Sequence, residues 1–315
     1  MNDVTAGDVV VLVVNYRTTE LTTRCVESVL RSEGVRPRVV VIDNASGDDG
    51  AERLRARFAG DASVTVHART VNDGYAGGNN AGLAVARSQG ARWALILNSD
   101  TELAPDCLRR LVAEGERDAR VALASPRIFF GHAPDRLWFG GGRFSPWLGR
   151  PVHVGLGRVA SHGWSAARDL TFASGCALLV RVGALGGDDP FDASLFAYAE
   201  DLDLSLRLRR AGWRIRYVPE ATVWHHEGAS HRRAGGQALR FYLNTRNLLR
   251  VAARHARWYH WPSLAPSLAV DVVGRFCAVA ARDRDWAALG GVLRGAWHAA
   301  AGGRHPIEAQ VPRVR

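Results

Sequence analysis

Four acids and a pair of histidines stand where they could do chemistry. The stretch "YAEDLDLSLRLRRAGW", residues 198–213, crowds Glu200, Asp201 and Asp203 at the front of a leucine-rich run. "LILNSDTEL" sets Asp100 directly after an apolar run, and "ATVWHHEGAS", residues 221–230, offers His225 and His226 after another. A positioned carboxylate can take the proton of an attacking hydroxyl. A carboxylate and an imidazole can share a divalent cation, and Mg²⁺ commonly uses only one or two protein carboxylates beside phosphate oxygens. The cluster "NDGYAGGNNAGLAVA", residues 72–86, follows an apolar run and opens a helical pattern, where backbone N–H groups can receive phosphate. It does not match G-x-G-x-x-G and follows the third run rather than the first, which disfavours a nicotinamide site. Each feature also has a plainer use. Asp100 could cap a helix starting near Pro105, the three acids could complement a helix dipole, the glycines could serve a tight turn, and a histidine is often structural.

The elements that must hold these residues follow from periodicity. Leu202, Leu204, Leu206 and Leu208 alternate as in a strand, yet Leu202 to Arg210 contains no β-branched residue, and acids lead while Arg207, Arg209 and Arg210 trail. Leucine and arginine are good helix formers and the charges suit a helix dipole, so a helix ending at Gly212 is predicted, with Leu204, Leu208 and Ala211 on one face. Upstream, "VVVLVV", "RVVVID", "SVTVHA" and "WALILN" alternate with amphipathic stretches at 19–32, 49–59 and 79–88. That alternation predicts an α/β domain with a largely parallel sheet and a ligand at the carboxyl ends of its strands. Asn15, Tyr16, Asp43, Asn44, Asn98, Ser99 and Asp100 end those strands. Residues 121–185 turn Gly- and Trp-rich, as in "LWFGGGRFSPWLGRP", and predict hairpins closing over the site.

A 315-residue chain with 47% hydrophobic residues is globular rather than disordered. Cys25, Cys107, Cys176 and Cys277 are scattered without C-x-x-C spacing, so buried thiols in a reducing, cytoplasmic setting are expected, and no signal sequence is read in the first residues. The whole net charge of +10 lies in residues 231–315, where 14 arginines face Asp271, Asp283, Asp285 and Glu308. This tail reads as helical, with arginines, Trp258, Tyr259 and Trp261 fit for an anionic membrane surface, or for packing on the core or forming a homodimer. Asp271 and Arg275 argue against a spanning helix.

"VVNYR", "VVVIDNAS", "NDGYAGGNNAG", "LILNSDTEL", "FASGCALLVR", "FDASLFAYAEDLDLSLRLRRAGW" and "VWHHEGAS", in this order and spacing, resemble the family 2 inverting glycosyltransferases over roughly residues 8–250. The bacterial branch with rhamnosyltransferases and galactofuranosyltransferases is the most similar. The resemblance implies a GT-A fold with a mostly parallel central sheet: a catalytic domain over residues 1–235, its nucleotide-sugar half about 1–120 and acceptor half about 121–235, then a basic helical extension over 236–315. It implies a nucleotide-diphosphate sugar donor, such as dTDP-L-rhamnose, a glycan or polyprenyl-linked glycan acceptor, and Mg²⁺ or Mn²⁺. Asn15, Tyr16, Asp43 and Asn44 would border the nucleoside; Gly74, Gly78 and Asn79 lie in the stretch approaching the phosphates and sugar, with Asn98 and Ser99 beside them. Asp100 matches the metal-binding carboxylate and His225 a metal ligand; Asn98 replaces the first acid of the DxD-type motif, shifting weight to His225 and the diphosphate oxygens. Asp201 matches the catalytic base, Glu200 would position acceptor hydroxyls, and Gly175 would give the acceptor room. A peripheral place on the inner face of the cell membrane would follow from a lipid-linked acceptor. Two other classes compete: a nucleotide-sugar-binding scaffold without catalysis, and a nucleic-acid-binding protein using the basic tail. Against the second stand the neutral first 230 residues and the lack of a nucleic-acid motif, so no nucleic-acid partner is expected.

Overall fold

The computed structural model describes residues 8–160, 164–226, 236–282 and 285–302. Its first half alternates as the β-branched runs require: β1 (Val9–Asn15), α1 (Thr19–Leu30), β2 (Arg38–Asp43), α2 (Gly50–Arg57), β3 (Val64–Ala68), α3 (Gly74–Ser88) and β4 (Trp93–Asn98). The four strands are parallel in the order β3-β2-β1-β4. Val9 to Val13 are wholly buried because helices cover both faces. Each such side chain contributes roughly 1.5–3 kcal/mol of burial free energy, which is why an unbroken valine run succeeds here where an alternating one would not.

The second half extends the same sheet. After β5 (Thr101–Leu103) and α4 (Cys107–Arg117) come β6 (Val121–Phe130), β7 (Ala133–Phe139), the hairpin of β8 (Gly142–Ser145) and β9 (Arg150–His153), β10 (Arg168–Asp169) and β11 (Ala177–Arg181). Strand β11 inserts antiparallel between β4 and β6, joining the two halves edge to edge. Then follow α5 (Glu200–Arg210) and β12 (Arg214–His225), the latter parallel to β6 and antiparallel to the short β5. The leucines of "EDLDLSLRLRR" thus lie on a helix, with Leu202, Leu204 and Leu208 buried.

Three α-helices follow among the described residues: α6 (Gly236–His255), α7 (Trp261–Arg282) and α8 (Trp286–Ala300). Leu248, Val251 and Ala252 of α6, with Leu264 and Leu268 of α7, belong to the same hydrophobic core as the sheet. Helix α8 lies so close to α6 that a Cβ on Gly291 would sit 2.3 Å from the Ala238 carbonyl oxygen. The segment Trp258–Ala281 is long and apolar enough, by length and composition, to cross a membrane. Asp271 and Arg275, one helical turn apart, neutralise each other at 2.6 Å. Of the cysteines, Cys25, Cys107 and Cys176 are buried and Cys277 is exposed, all as free thiols. Burial pushes Cys25 up to about 12, so it stays an unreactive thiol.

Candidate active site

The carboxyl ends of β1 and β2 are tied by a buried polar knot. Asn15 donates to Asp43 at 2.7 Å and to Ser46 at 3.3 Å, and its carbonyl accepts from Thr18 and Thr22. Ser46 donates back to Asp43 at 2.5 Å. Asn15 is therefore fully buried, its amide committed within the protein, and it braces Asp43 from below. Tyr16 is partly exposed beside the Arg17 guanidinium, on the outer side of the same tip.

The glycine stretch is helix rather than loop. Helix α3 begins at Gly74, five residues earlier than periodicity alone places it, because Gly74 has a positive φ of 74° and a Cβ there would lie 2.3 Å from the Phe196 carbonyl oxygen. Asn44 donates to the Gly74 carbonyl at 2.9 Å and to Asn72 at 2.8 Å. Gly78 faces Val14 and Asn44, so it brings α3 down onto the sheet. Asn79 is buried and donates to the Tyr75 carbonyl at 2.8 Å.

Strand pairing builds the next cluster. The antiparallel register of β5 with β12 sets His225 opposite Thr101. His225 Nε2 consequently lies 3.2 Å from Asp100 Oδ1, both side chains almost wholly buried. Ser99, beside them, shares a 3.1 Å hydrogen bond with Thr18, and the Asn98 carbonyl accepts from Thr101 at 2.7 Å. Burial opposes charge on His225, but its contacts with Cys176 and Asp100 outweigh it and raise the imidazole above its ordinary value. Among the described residues, no three or more His, Cys, Asp or Glu converge as a metal cage. The pair Asp100 and His225 still fits a divalent cation that takes its remaining ligands from a diphosphate and water, since an oxygen and an imidazole nitrogen already converge there.

The acids of α5 differ sharply in surroundings. Asp201 accepts from the Gly175 amide at 2.8 Å through Oδ2 and from the Leu202 amide at 2.7 Å through Oδ1. Burial raises its pKa, opposed by those two amides and by nearby His153. Glu200 is raised further, first by burial and then by the Asp201 charge, and among the described residues its buried Oε2 meets no donor. Burial thus raises both carboxyls, and two backbone amides favour the charged form at Asp201. Gly175 also accepts from the Tyr75 hydroxyl at 2.6 Å, and Tyr75 is held protonated far above its ordinary value, by burial and then by Glu200. A Cβ on Gly175 would meet Tyr75 at 3.4 Å and the Asp201 Cβ at 3.5 Å, ordinary van der Waals contact.

Asp203 is turned the other way, into the protein. It is wholly buried and bound by Arg207 at 2.8 Å, His255 at 3.0 Å and Arg254 at 3.1 Å. Burial works against its charge, but these partners lower it to about 2. Because the folded value lies below the unfolded one, near 3.9, its stabilisation is complete above pH 4 and is lost as pH falls towards 2. Urea unfolding of the native chain is expected to lose on the order of 2 kcal/mol through this window. An Asp203→Asn variant should lack that component, and an identical pH dependence in the two proteins would contradict it.

Three residues at the site escaped the sequence reading. Trp138 lies edge-on to His225 at 4.6 Å and to His153 at 4.8 Å, bridging the Asp100–His225 pair and the surroundings of Asp201. Tyr75 sits inside the quoted glycine stretch. Its signal was a lone aromatic among small residues; Trp138 and His153 carried none beyond lying in the hairpin region.

Residues 8–149 match the model of the glycosyl transferase family 2, and residues 93–294 that of the glycosyl transferase family group 2. The chain belongs to the family 2 glycosyltransferases, and its architecture is the GT-A fold. It is 31% identical over 182 residues to the N-acetylglucosaminyl-diphospho-decaprenol L-rhamnosyltransferase of Mycobacterium tuberculosis, covering 54% of this chain and 58% of that one. To the rhamnosyltransferase WbbL of Escherichia coli it is 35% identical over 74 residues, covering 24% and 28%. The match thus spans little more than half the length of the mycobacterial relative. Among solved structures, the mannosyltransferase PcManGT of Pyrobaculum calidifontis, in complex with GDP-Man and Mn²⁺, superposes with a TM-score of 0.58 at 16% identity, covering 95% of this chain and 88% of that one. GalNAc-T7 with UDP, GalNAc and Mn²⁺ gives 0.61 at 18%, covering 80% and 48%. At these identities the likeness is one of fold.

Proposed function

We propose that the chain moves a sugar, L-rhamnose from dTDP-L-rhamnose, onto a hydroxyl of a polyprenyl-linked glycan, with inversion at the anomeric carbon. One observation carries the reading: two successive residues hold its two halves together. The Gly175 amide holds the Asp201 carboxylate, and Cys176 contacts His225, the partner of Asp100. Asp201 and the Asp100–His225 pair would then flank one donor sugar, the acceptor oxygen attacking the face opposite the departing diphosphate, as inversion requires. The nucleoside is set against the tips of β1 and β2, where Asp43 and Asn44 are fixed by the knot below them. Asp201 takes the proton of the acceptor hydroxyl as its oxygen attacks. Glu200, beside it, positions the acceptor hydroxyls. Asp100 and His225 would hold Mg²⁺ or Mn²⁺, which when bound neutralises the charge growing on the departing diphosphate. The sugar and acceptor assignments draw on the named activity of the mycobacterial relative.

Thermal unfolding against a panel of nucleotide sugars with Mn²⁺ tests the donor. The largest upward shift is expected with dTDP-L-rhamnose, since a ligand stabilises the fold according to its affinity. A shift with UDP or GDP sugars and none with dTDP-L-rhamnose would overturn it.

A lipid-linked acceptor calls for a membrane surface, and the C-terminal helices offer one. Val270 and Val273 on α7 and Trp286, Leu293 and Trp297 on α8 are exposed, while Leu264 and Leu268 bind α7 to the core. Ser263 and Ser267 donate to the Trp147 and Leu148 carbonyls, tying the same helix to the hairpin loop. Such a helix lies on a bilayer rather than through it, with tryptophans at headgroup depth and the arginine-rich tail meeting anionic lipid. The intact chain is expected to sediment with phosphatidylglycerol vesicles, and a Trp286→Ser, Leu293→Ser, Trp297→Ser triple variant to remain in the supernatant. Equal sedimentation of both would rule this face out.

A further inference from the structure

The loop before Asp201 is held in an unfavourable shape. Phe196, Tyr198 and Ala199 have φ values of 66°, 71° and 65°. A left-handed conformation is unfavourable for a residue with a Cβ, and three such residues lie just before Glu200 and Asp201. Something must hold them, and helix α6 does. Asn247, wholly buried, directs its amide Nδ2 at the carbonyls of Leu195, Ala197 and Tyr198, at 2.8, 2.8 and 2.9 Å. Arg246, also buried, donates to the carbonyls of Ser194 at 3.0 Å and Leu195 at 3.2 Å, and to Asn247 Oδ1 at 2.8 Å, which orients the amide. Two turns further along α6, Arg254 and His255 grip Asp203. One helix thus secures the chain on both sides of Asp201.

We propose that Asn247, oriented by Arg246, is a positioning residue for the transfer reaction. It fixes the strained loop so that Asp201 stays against the Gly175 amide and faces the acceptor hydroxyl. The Phe196 carbonyl meanwhile accepts from the Ala76 amide in α3, so the same loop also abuts the glycine-rich helix start. The inference rests on the reading of Asp201 as the base.

The test is Asn247→Leu, similar in size but without donors, compared with Asp201→Asn and with the double variant in the full chain. Asn247→Leu is expected to lower kcat about 10–100-fold, because a displacement of about 1 Å can cost that much, while donor KM and the donor-induced thermal shift stay unchanged. In the double variant, the loss should be no greater than for Asp201→Asn alone, since both changes disable one group. Arg246→Met should repeat the kcat loss with Asn247 intact, and serves if the leucine variant fails to fold. Unchanged kcat per folded enzyme, or losses that multiply in the double variant, would overturn the positioning role. Full turnover by Asp201→Asn would instead overturn the base assignment, so the two failures are distinguishable.

Discussion

Asp201→Asn is expected to reduce kcat by roughly 10²–10⁴-fold, the usual contribution of a general base, while leaving folding and donor binding intact. The asparagine oxygen can still accept from the Gly175 amide, and only the acceptor for the Leu202 amide is lost. What disappears is the capacity to accept a proton. The pH profile gives a second reading of the same group. Burial raises Asp201, and only its ionised form can act, so the rate should fall as pH drops through a value above the ordinary aspartate range near 3.9. Steady-state transfer from dTDP-L-rhamnose, followed from pH 4 to 9, checks both points. Undiminished turnover by the variant would move the base elsewhere, with Glu200 the next carboxyl to test.

Asp100→Asn should act on the opposite side of the reaction. It keeps the size of the side chain and a partner for His225, but removes the charge that would hold the cation. The metal-dependent part of the thermal shift given by dTDP-L-rhamnose is expected to vanish, and transfer to fall by about 10²-fold or more, as loss of several kcal/mol of charge stabilisation implies. Donor binding without metal should barely change, because the proposed nucleoside site is formed by Asp43 and Asn44 rather than Asp100. A variant that keeps the full metal-dependent shift would dissociate Asp100 from the metal.

The sheet was legible because buried parallel strands need unbroken β-branched runs, and "VVVLVV", "RVVVID" and "WALILN" have no other comfortable structure. Helix α5 was legible from residue type and end charges, against a leucine period that pointed to a strand. The start of α3 was less so: the helical pattern is legible only from residue 79, yet glycine lets the helix begin at Gly74 under Phe196 and lie close on Val14. Nor could the sequence join Asp100 to His225. Their contact depends on an antiparallel pairing of the three-residue β5 with the end of β12, a register that no local pattern encodes. The left-handed residues were least visible of all. Phe196, Tyr198 and Ala199 have no preference for that conformation, and only the carbonyl acceptors offered to Asn247 show why they adopt it.

Helix α6 has a consequence for how such enzymes can diversify. One face of it holds the loop before Asp201 and another packs on α8, so replacing the C-terminal helices of this chain would also disturb the contacts that fix that loop. Sequence drift that adapts the outer surface to a new membrane or acceptor must pass around Arg246 and Asn247.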